Sequence, residues 1–156
     1  MSAQSVRVAV LMERRALANR WQSETWQPVA VVADPGETGP RLVADDGARS
    51  QWLHPGFVIE LHRDEAEGYY LNITTEQPYV FVLTRVEEGR AVPKSVTVSY
   101  HEAGRMMDGG EQVDGVPMPV EVAELVGAYL SANYRPEPKK CSRPPSFKGA
   151  RRDADD

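Results

Sequence analysis

The stretch that decides the fold is GFVIELHRDEAEGYYLNIT, residues 56–74 of a 156-residue chain. Apolar and polar residues alternate on both sides of an acidic segment that ends in glycine, which predicts two strands joined by a short turn. The predicted strands cover residues 57–63 and 69–75. Because strand side chains alternate between two faces, we expect the following side chains to share the outward face: Glu60, His62, Tyr70 and Asn72.

Further strands are predicted wherever apolar residues alternate with polar ones or form a short run. They cover residues 6–12, 26–33, 79–86 and 95–101, with one or two short strands between 42 and 53. Residues 13–25 are read as a loop or short helix, and the glycine-rich residues 104–117 as a long ordered loop. Helical spacing of apolar residues predicts one helix over residues 119–134, which begins at a proline and is stopped by Pro136.

Together these elements predict a mainly β (α+β) fold in residues 1–135, as a single globular domain. Strands joined by short turns favour an antiparallel meander or small barrel of about seven strands with one C-terminal helix. The same order of elements occurs in pleckstrin-homology domains, so a fold of that type is possible by analogy.

The charge of the chain is unevenly distributed. Residues 1–134 carry a balance of −8, whereas residues 135–152 carry +6. Residues 136–156 contain four prolines and few apolar side chains, which predicts a disordered basic tail. The acidic body makes nucleic-acid binding unlikely, and the basic tail is expected to contact an acidic partner.

Several features bear on cellular location. The single cysteine, Cys141, cannot form an internal disulfide and fits a reducing compartment. No apolar run reaches the ~20 residues that a membrane-spanning helix needs. The first residues lack the basic and apolar regions of a signal peptide. We therefore expect a cytoplasmic protein that does not enter a membrane.

Sequence motifs for catalysis are missing. The chain has no Gly-x-Ser-x-Gly nucleophile elbow and no glycine-rich phosphate loop. We predict no catalytic residue, no metal site and no cofactor, which favours a binding protein over an enzyme.

Candidate binding residues lie in three segments. Arginine forks bind carboxylates and phosphates, and tryptophan supplies flat contact area, so the basic and aromatic segment from Arg14 to Trp26 is one candidate. An equal alternative is that its tryptophans only anchor the loop. The other two candidates are the predicted hairpin and the polar loop 109–117, since such loops often carry function. The residues are Arg20, Trp21, Glu60, His62, Arg63, Asp64, Tyr70, Asn72, Glu111 and Asp114.

Four segments resemble a proteobacterial family known as domain of unknown function 3305. They are NRWQ at 19–22, WLHPGF at 52–57, ELHRDEAEGYYLN at 60–72 and GGEQVDGVP at 109–117. In that family the genes commonly lie beside those for molybdenum- or tungsten-containing formate dehydrogenase. The resemblance implies a non-enzymatic accessory protein in maturation or assembly of formate dehydrogenase, with a subunit or maturation factor as partner.

Two other functions remain open from the residues alone. One is a small-molecule- or metal-binding enzyme that uses Glu60, His62 and Asp64, with His101 as a further candidate. For these residues a solvated strand face is the simpler interpretation. The other is a regulatory module whose basic tail reaches nucleic acid or an acidic protein.

Overall fold

The computed structural model describes residues 4–18 and 23–135, in which seven strands form two antiparallel sheets. The first sheet contains β1 (Gln4–Ala16), β2 (Glu24–Ala33), β3 (Arg41–Asp45) and β4 (Arg49–Leu61), in the order β2-β1-β4-β3. The second contains β5 (Tyr79–Glu87), β6 (Arg90–Thr97) and β7 (Gln112–Pro117), in the order β6-β5-β7. The helices are α1 (Ala66–Ile73), α2 (Tyr100–Asp108) and α3 (Val120–Asn133), and a short 3₁₀ turn covers Arg63–Glu65.

The mainly β class with a C-terminal helix is confirmed, but the predicted architecture is wrong in two respects. The described strands form two separate sheets rather than a closed barrel of the pleckstrin-homology type. They also do not follow a simple meander, because β4 pairs with β1 rather than only with its chain neighbour. Local periodicity predicts where strands lie, but it does not show which strands pair when they are distant in the chain.

The predicted hairpin at 57–75 is half correct. Its first strand is the end of β4, but residues 66–73 form α1 instead of a second strand. The buried residues Ala66, Tyr69 and Asn72 recur every three positions, a helical spacing that places them on one side. There α1 packs against α3, where the rings of Tyr69 and Tyr129 meet edge to face at 6.2 Å.

A second misassignment lies between residues 95 and 117. The strand predicted over 95–101 ends at Thr97, and α2 begins at Tyr100. Ser99 caps this helix, because its side-chain oxygen accepts a hydrogen bond from the backbone N–H of Glu102 at 3.1 Å. The region predicted as a long loop contains the rest of α2 and the whole of β7.

One hydrophobic core joins both sheets to α1 and α3. The helix predicted over 119–134 is confirmed as α3, and it supplies four buried side chains to this core. The largest fully buried apolar side chains come from both sheets, α3 and the segment before α2: Val8, Val10, Met12, Ile59, Leu61, Val80, Val82, Val98, Val122 and Val126.

A β-bulge interrupts β4 and shapes the region described next. Val8 pairs with Phe57, but Val10 pairs with His54, so Pro55 and Gly56 together oppose one residue of β1. Gly56 has φ of 93°, a left-handed conformation that glycine adopts without strain.

Candidate functional site

A cleft of about 450 Å³ lies between the first sheet and the β5–β6 hairpin. The first sheet and the loop before β3 contribute one wall, and the hairpin contributes the other. The lining residues are Trp26, Pro40, Trp52, His54, Glu87, Glu88, Arg90, Ala91 and Val92.

The two tryptophans reach the cleft because they continue the core-facing side of the first sheet. Trp52 pairs across strands with Met12, which is fully buried, and Trp26 pairs with Arg14 two residues further along β1. Residues two apart on a strand share a face, so the apolar core extends outward into an indole-lined surface. Both indoles are only partly buried there.

Hydrogen bonds hold Trp26 in place. Its indole N–H donates to the Oε2 atom of Glu24 at 2.8 Å. Arg14 in turn donates to the other oxygen of Glu24 at 3.4 Å, to the hydroxyl of Ser50 at 2.9 Å and to the carbonyl of Gly47 at 3.2 Å. The ring orientation is therefore fixed by a network that spans three strands.

The β5–β6 turn places Arg90 over both indoles. Glu88 and Gly89 have φ of 56° and 80°, the left-handed pair that a type I′ two-residue hairpin requires. The guanidinium carbon of Arg90 lies 5.7 Å from the ring centroid of Trp26 and 5.7 Å from that of Trp52. Both distances are within the ~6 Å range of cation–π attraction.

The charge of Arg90 is not neutralised within the described part of the chain, where no carboxylate forms an ion pair with it. Glu87, three residues before it, pairs with Lys94 instead. An arginine carries five N–H donors, so those of Arg90 remain available to an anion in the cleft.

His54 is a further polar group of the lining, and the bulge in β4 sets its register opposite Val10. Burial lowers the pKa of the His54 imidazole below its usual value near 6.5. The ring is therefore neutral at neutral pH, with one nitrogen able to donate and the other able to accept a hydrogen bond.

The predicted pair Glu60 and His62 lies elsewhere, on the surface at the end of β4. The carboxylate oxygen and the imidazole Nε2 are 3.6 Å apart, and both side chains are more than half exposed. Arg63 and Asp64 are exposed in the adjoining 3₁₀ turn.

Tyr70 and Asn72 do not share a face with Glu60 and His62, because the segment that contains them is helical. Tyr70 packs against the core and contacts the ring of Tyr134 in a tilted arrangement, with ring centroids 5.3 Å apart. Asn72 is completely buried, and its amide binds backbone groups only. Its polar atoms are therefore committed to the fold.

The remaining candidates are dispersed. Glu111 forms a two-pronged ion pair with Arg85, with contacts of 2.6 and 3.1 Å, and these hydrogen bonds lower the pKa of the Glu111 carboxyl. Asp114 accepts from the amide of Gln112 at 3.3 Å. Arg20, Trp21, Cys141 and the predicted tail 136–156 lie outside the described residues.

Within residues 4–18 and 23–135, no three histidine, cysteine, aspartate or glutamate side chains stand close enough to hold a metal ion. The same residues contain no helix with the length and apolar character needed to cross a membrane.

Sequence reasoning missed Trp52, His54 and Arg90 as site residues. The sequence offered two signals, which were Trp26 and Trp52 on predicted strands and Arg90 directly after the Glu88-Gly89 turn. Neither signal shows that the strands come from two sheets that face each other.

Comparison with known proteins gives one match. The model of a family described as "Protein of unknown function (DUF3305)" matches residues 7–143, nearly the whole chain. No curated protein and no solved structure matches.

Proposed function

Since the chain belongs to the DUF3305 family of proteins of unknown function, we propose that it is a non-enzymatic accessory protein in the maturation or assembly of molybdenum-dependent formate dehydrogenase. It works in the cytoplasm by binding, and its partner is a formate dehydrogenase subunit or maturation factor. The tie to formate dehydrogenase comes from the gene neighbourhood that the family resemblance implies.

The observation that supports a binding role is the placement of Arg90 over two indoles at the cleft. Tryptophan and arginine carry binding energy more often than other residues, particularly when they are grouped and partly shielded from water. The network of Arg14, Glu24 and Ser50 fixes Trp26 before any partner arrives, so little ordering entropy opposes binding.

A cellular complementation experiment tests this role. The gene is deleted in a host that depends on formate dehydrogenase, and the deletion strain receives the wild-type gene or Arg90→Gln. The matched control is Arg85→Gln, which removes the same charge from the same hairpin at a residue paired with Glu111 outside the cleft.

We expect wild type and Arg85→Gln to restore formate dehydrogenase activity and molybdenum content, and Arg90→Gln to fail while accumulating to the same level. If the deletion leaves activity and molybdenum content unchanged, the accessory role is wrong. If Arg90→Gln complements fully, the role survives but the cleft is not its binding site.

A further inference from the structure

We infer that the cleft takes a small planar molecule with a single anionic group, whose ring lies against the indoles and whose phosphate or carboxylate binds Arg90. This inference rests on the proposed binding role and names the ligand class of the same cleft.

The anionic group follows from the position of Arg90. Its guanidinium lies over two indole rings and has no acidic partner among the described residues. Guanidinium groups bind phosphate and carboxylate through two parallel hydrogen bonds, and a neighbouring low-polarity surface strengthens such bonds. Neutral His54 can add a hydrogen bond without adding charge.

The planar ring follows from the lining and the size. A volume of about 450 Å³ fits a small molecule, since ligand pockets usually span ~300–1,000 Å³. The indoles of Trp26 and Trp52 line the cleft beside Arg90, and a flat ring pairs with an aromatic ring in an offset-stacked or edge-to-face arrangement.

The limit to one anionic group follows from the acidic lip. Glu87 and Glu88 both line the cleft, and among the described residues Glu87 has a lysine partner whereas Glu88 has none. A ligand with several negative charges would place one of them near Glu88, where like charges repel. The cleft should therefore discriminate against polyanions.

Titration calorimetry of the full chain with matched probes tests the inference. The phosphate arm compares AMP with adenosine, and the carboxylate arm compares 2-naphthoate with 2-naphthalenemethanol. We expect the anionic member of at least one pair to bind about tenfold or more tightly than its neutral partner, as for charge-assisted hydrogen bonds. If the anionic probe binds in just one of the two arms, its anionic group, phosphate or carboxylate, is the one that the cleft recognises.

Variants locate the binding. Arg90→Gln should remove the advantage of the anionic probe and leave binding of the neutral probe unchanged, whereas Arg85→Gln should bind both as wild type does. Glu88→Gln should strengthen the binding of ATP more than the binding of AMP. Unfolding temperatures of all three variants should match wild type, because the three side chains are exposed.

The inference is overturned if neither anionic probe binds at millimolar concentration, if neutral and anionic probes bind equally, or if Arg90→Gln keeps the anionic advantage. ATP binding as tightly as AMP would overturn the limit to one anionic group. None of these results depends on formate dehydrogenase, so failure here is distinct from failure of complementation.

Discussion

Asn72 bonds to both backbone groups of Tyr79. Its side-chain oxygen accepts from the Tyr79 N–H at 3.0 Å, and its side-chain nitrogen donates to the Tyr79 carbonyl at 2.7 Å. The same nitrogen donates to the carbonyl of Val98 at 2.9 Å, so one amide joins α1 to β5 and to the segment before α2.

Replacing this amide should destabilise the fold. Asn72→Ala leaves buried backbone groups without partners, at roughly 1–3 kcal/mol for each unsatisfied group. We expect a loss above about 2 kcal/mol in urea unfolding. Asn133→Ala is the control, because it removes a single bond to Tyr129 near the end of α3 and should cost about 1 kcal/mol or less. Equal losses for the two variants would show that the Asn72 bridge contributes little.

Two helical glycines should respond oppositely to alanine. A Cβ at Gly68 would lie 2.1 Å from the hydroxyl of Ser99, which is itself held by Glu65 and the α2 N-terminus. Gly68→Ala should therefore lower the melting temperature. Gly127→Ala meets no atom within 4 Å and should raise stability by about 0.5–1 kcal/mol through helix propensity. A stabilised Gly68→Ala variant would contradict the close packing of α1 and α2.

Truncation on α3 should distinguish its buried and exposed positions. Leu130 is buried in the core, so Leu130→Ala should cost about 2–5 kcal/mol. Val120 is 69% exposed at the start of the helix, and Val120→Ala should change the unfolding free energy by about 0.5 kcal/mol or less. Similar values from denaturant curves would mean that the Leu130 side chain does not lie in the core.

Low pH should reduce the free energy of unfolding, in part because the Glu13 carboxylate becomes protonated. A hydrogen bond from Gln51 lowers the pKa of the Glu13 carboxyl, burial opposes this, and a hydrogen bond from Arg15 and the charges of Arg49 and Arg15 lower it further. A pKa below the unfolded value of about 4.5 means that ionised Glu13 stabilises the fold above that pH. The contribution is lost as pH falls through the lower folded pKa.

Glu13→Gln should accordingly cost most at neutral pH and progressively less below about pH 4.5. Urea unfolding of both proteins over this range measures the difference. A cost that is constant with pH would show that the effect of the substitution comes from packing rather than from charge.

Removing the exposed pair tests the remaining sequence-based hypothesis. Glu60→Ala with His62→Ala should change stability by about 0.5 kcal/mol or less, because both side chains are exposed. The sequence-based hypothesis expects this folded variant to fail in complementation of the deletion strain. Full complementation would show that the pair is only a solvated surface.

The local sequence pattern was sufficient to predict those strands in which apolar and polar residues alternate regularly or apolar residues form a continuous run. Residues 6–12, 26–33 and 79–86 lie in β1, β2 and β5 as predicted. It failed at residues 69–73, where tyrosine, leucine and isoleucine favour a strand locally but packing against α3 selects a helix. The Ser-x-x-Glu cap at 99–102 was a readable helix signal that the neighbouring alternation obscured.

The site could not be derived in the same way. Trp26 was weighed evenly as part of a binding segment or as a loop anchor, and Arg90 was read only as a turn residue. Their juxtaposition depends on the packing of the β5–β6 hairpin against the first sheet, which involves contacts between residues far apart in the chain. Asn72 was predicted to bind because its segment was read as a strand with an outward polar face. Its burial follows from the helical conformation of α1, which the local pattern did not show.

Arg90 belongs to one sheet and its two indoles to the other. Any ligand that spans the cleft would consequently act as a crosslink between sheets, and its binding free energy would add to the cost of separating them. Amide hydrogen exchange should then slow in β2, β4 and β6 together, although only a few side chains touch the ligand. Occupancy of this cleft and the cohesion of the two halves of the fold are thus one linked equilibrium.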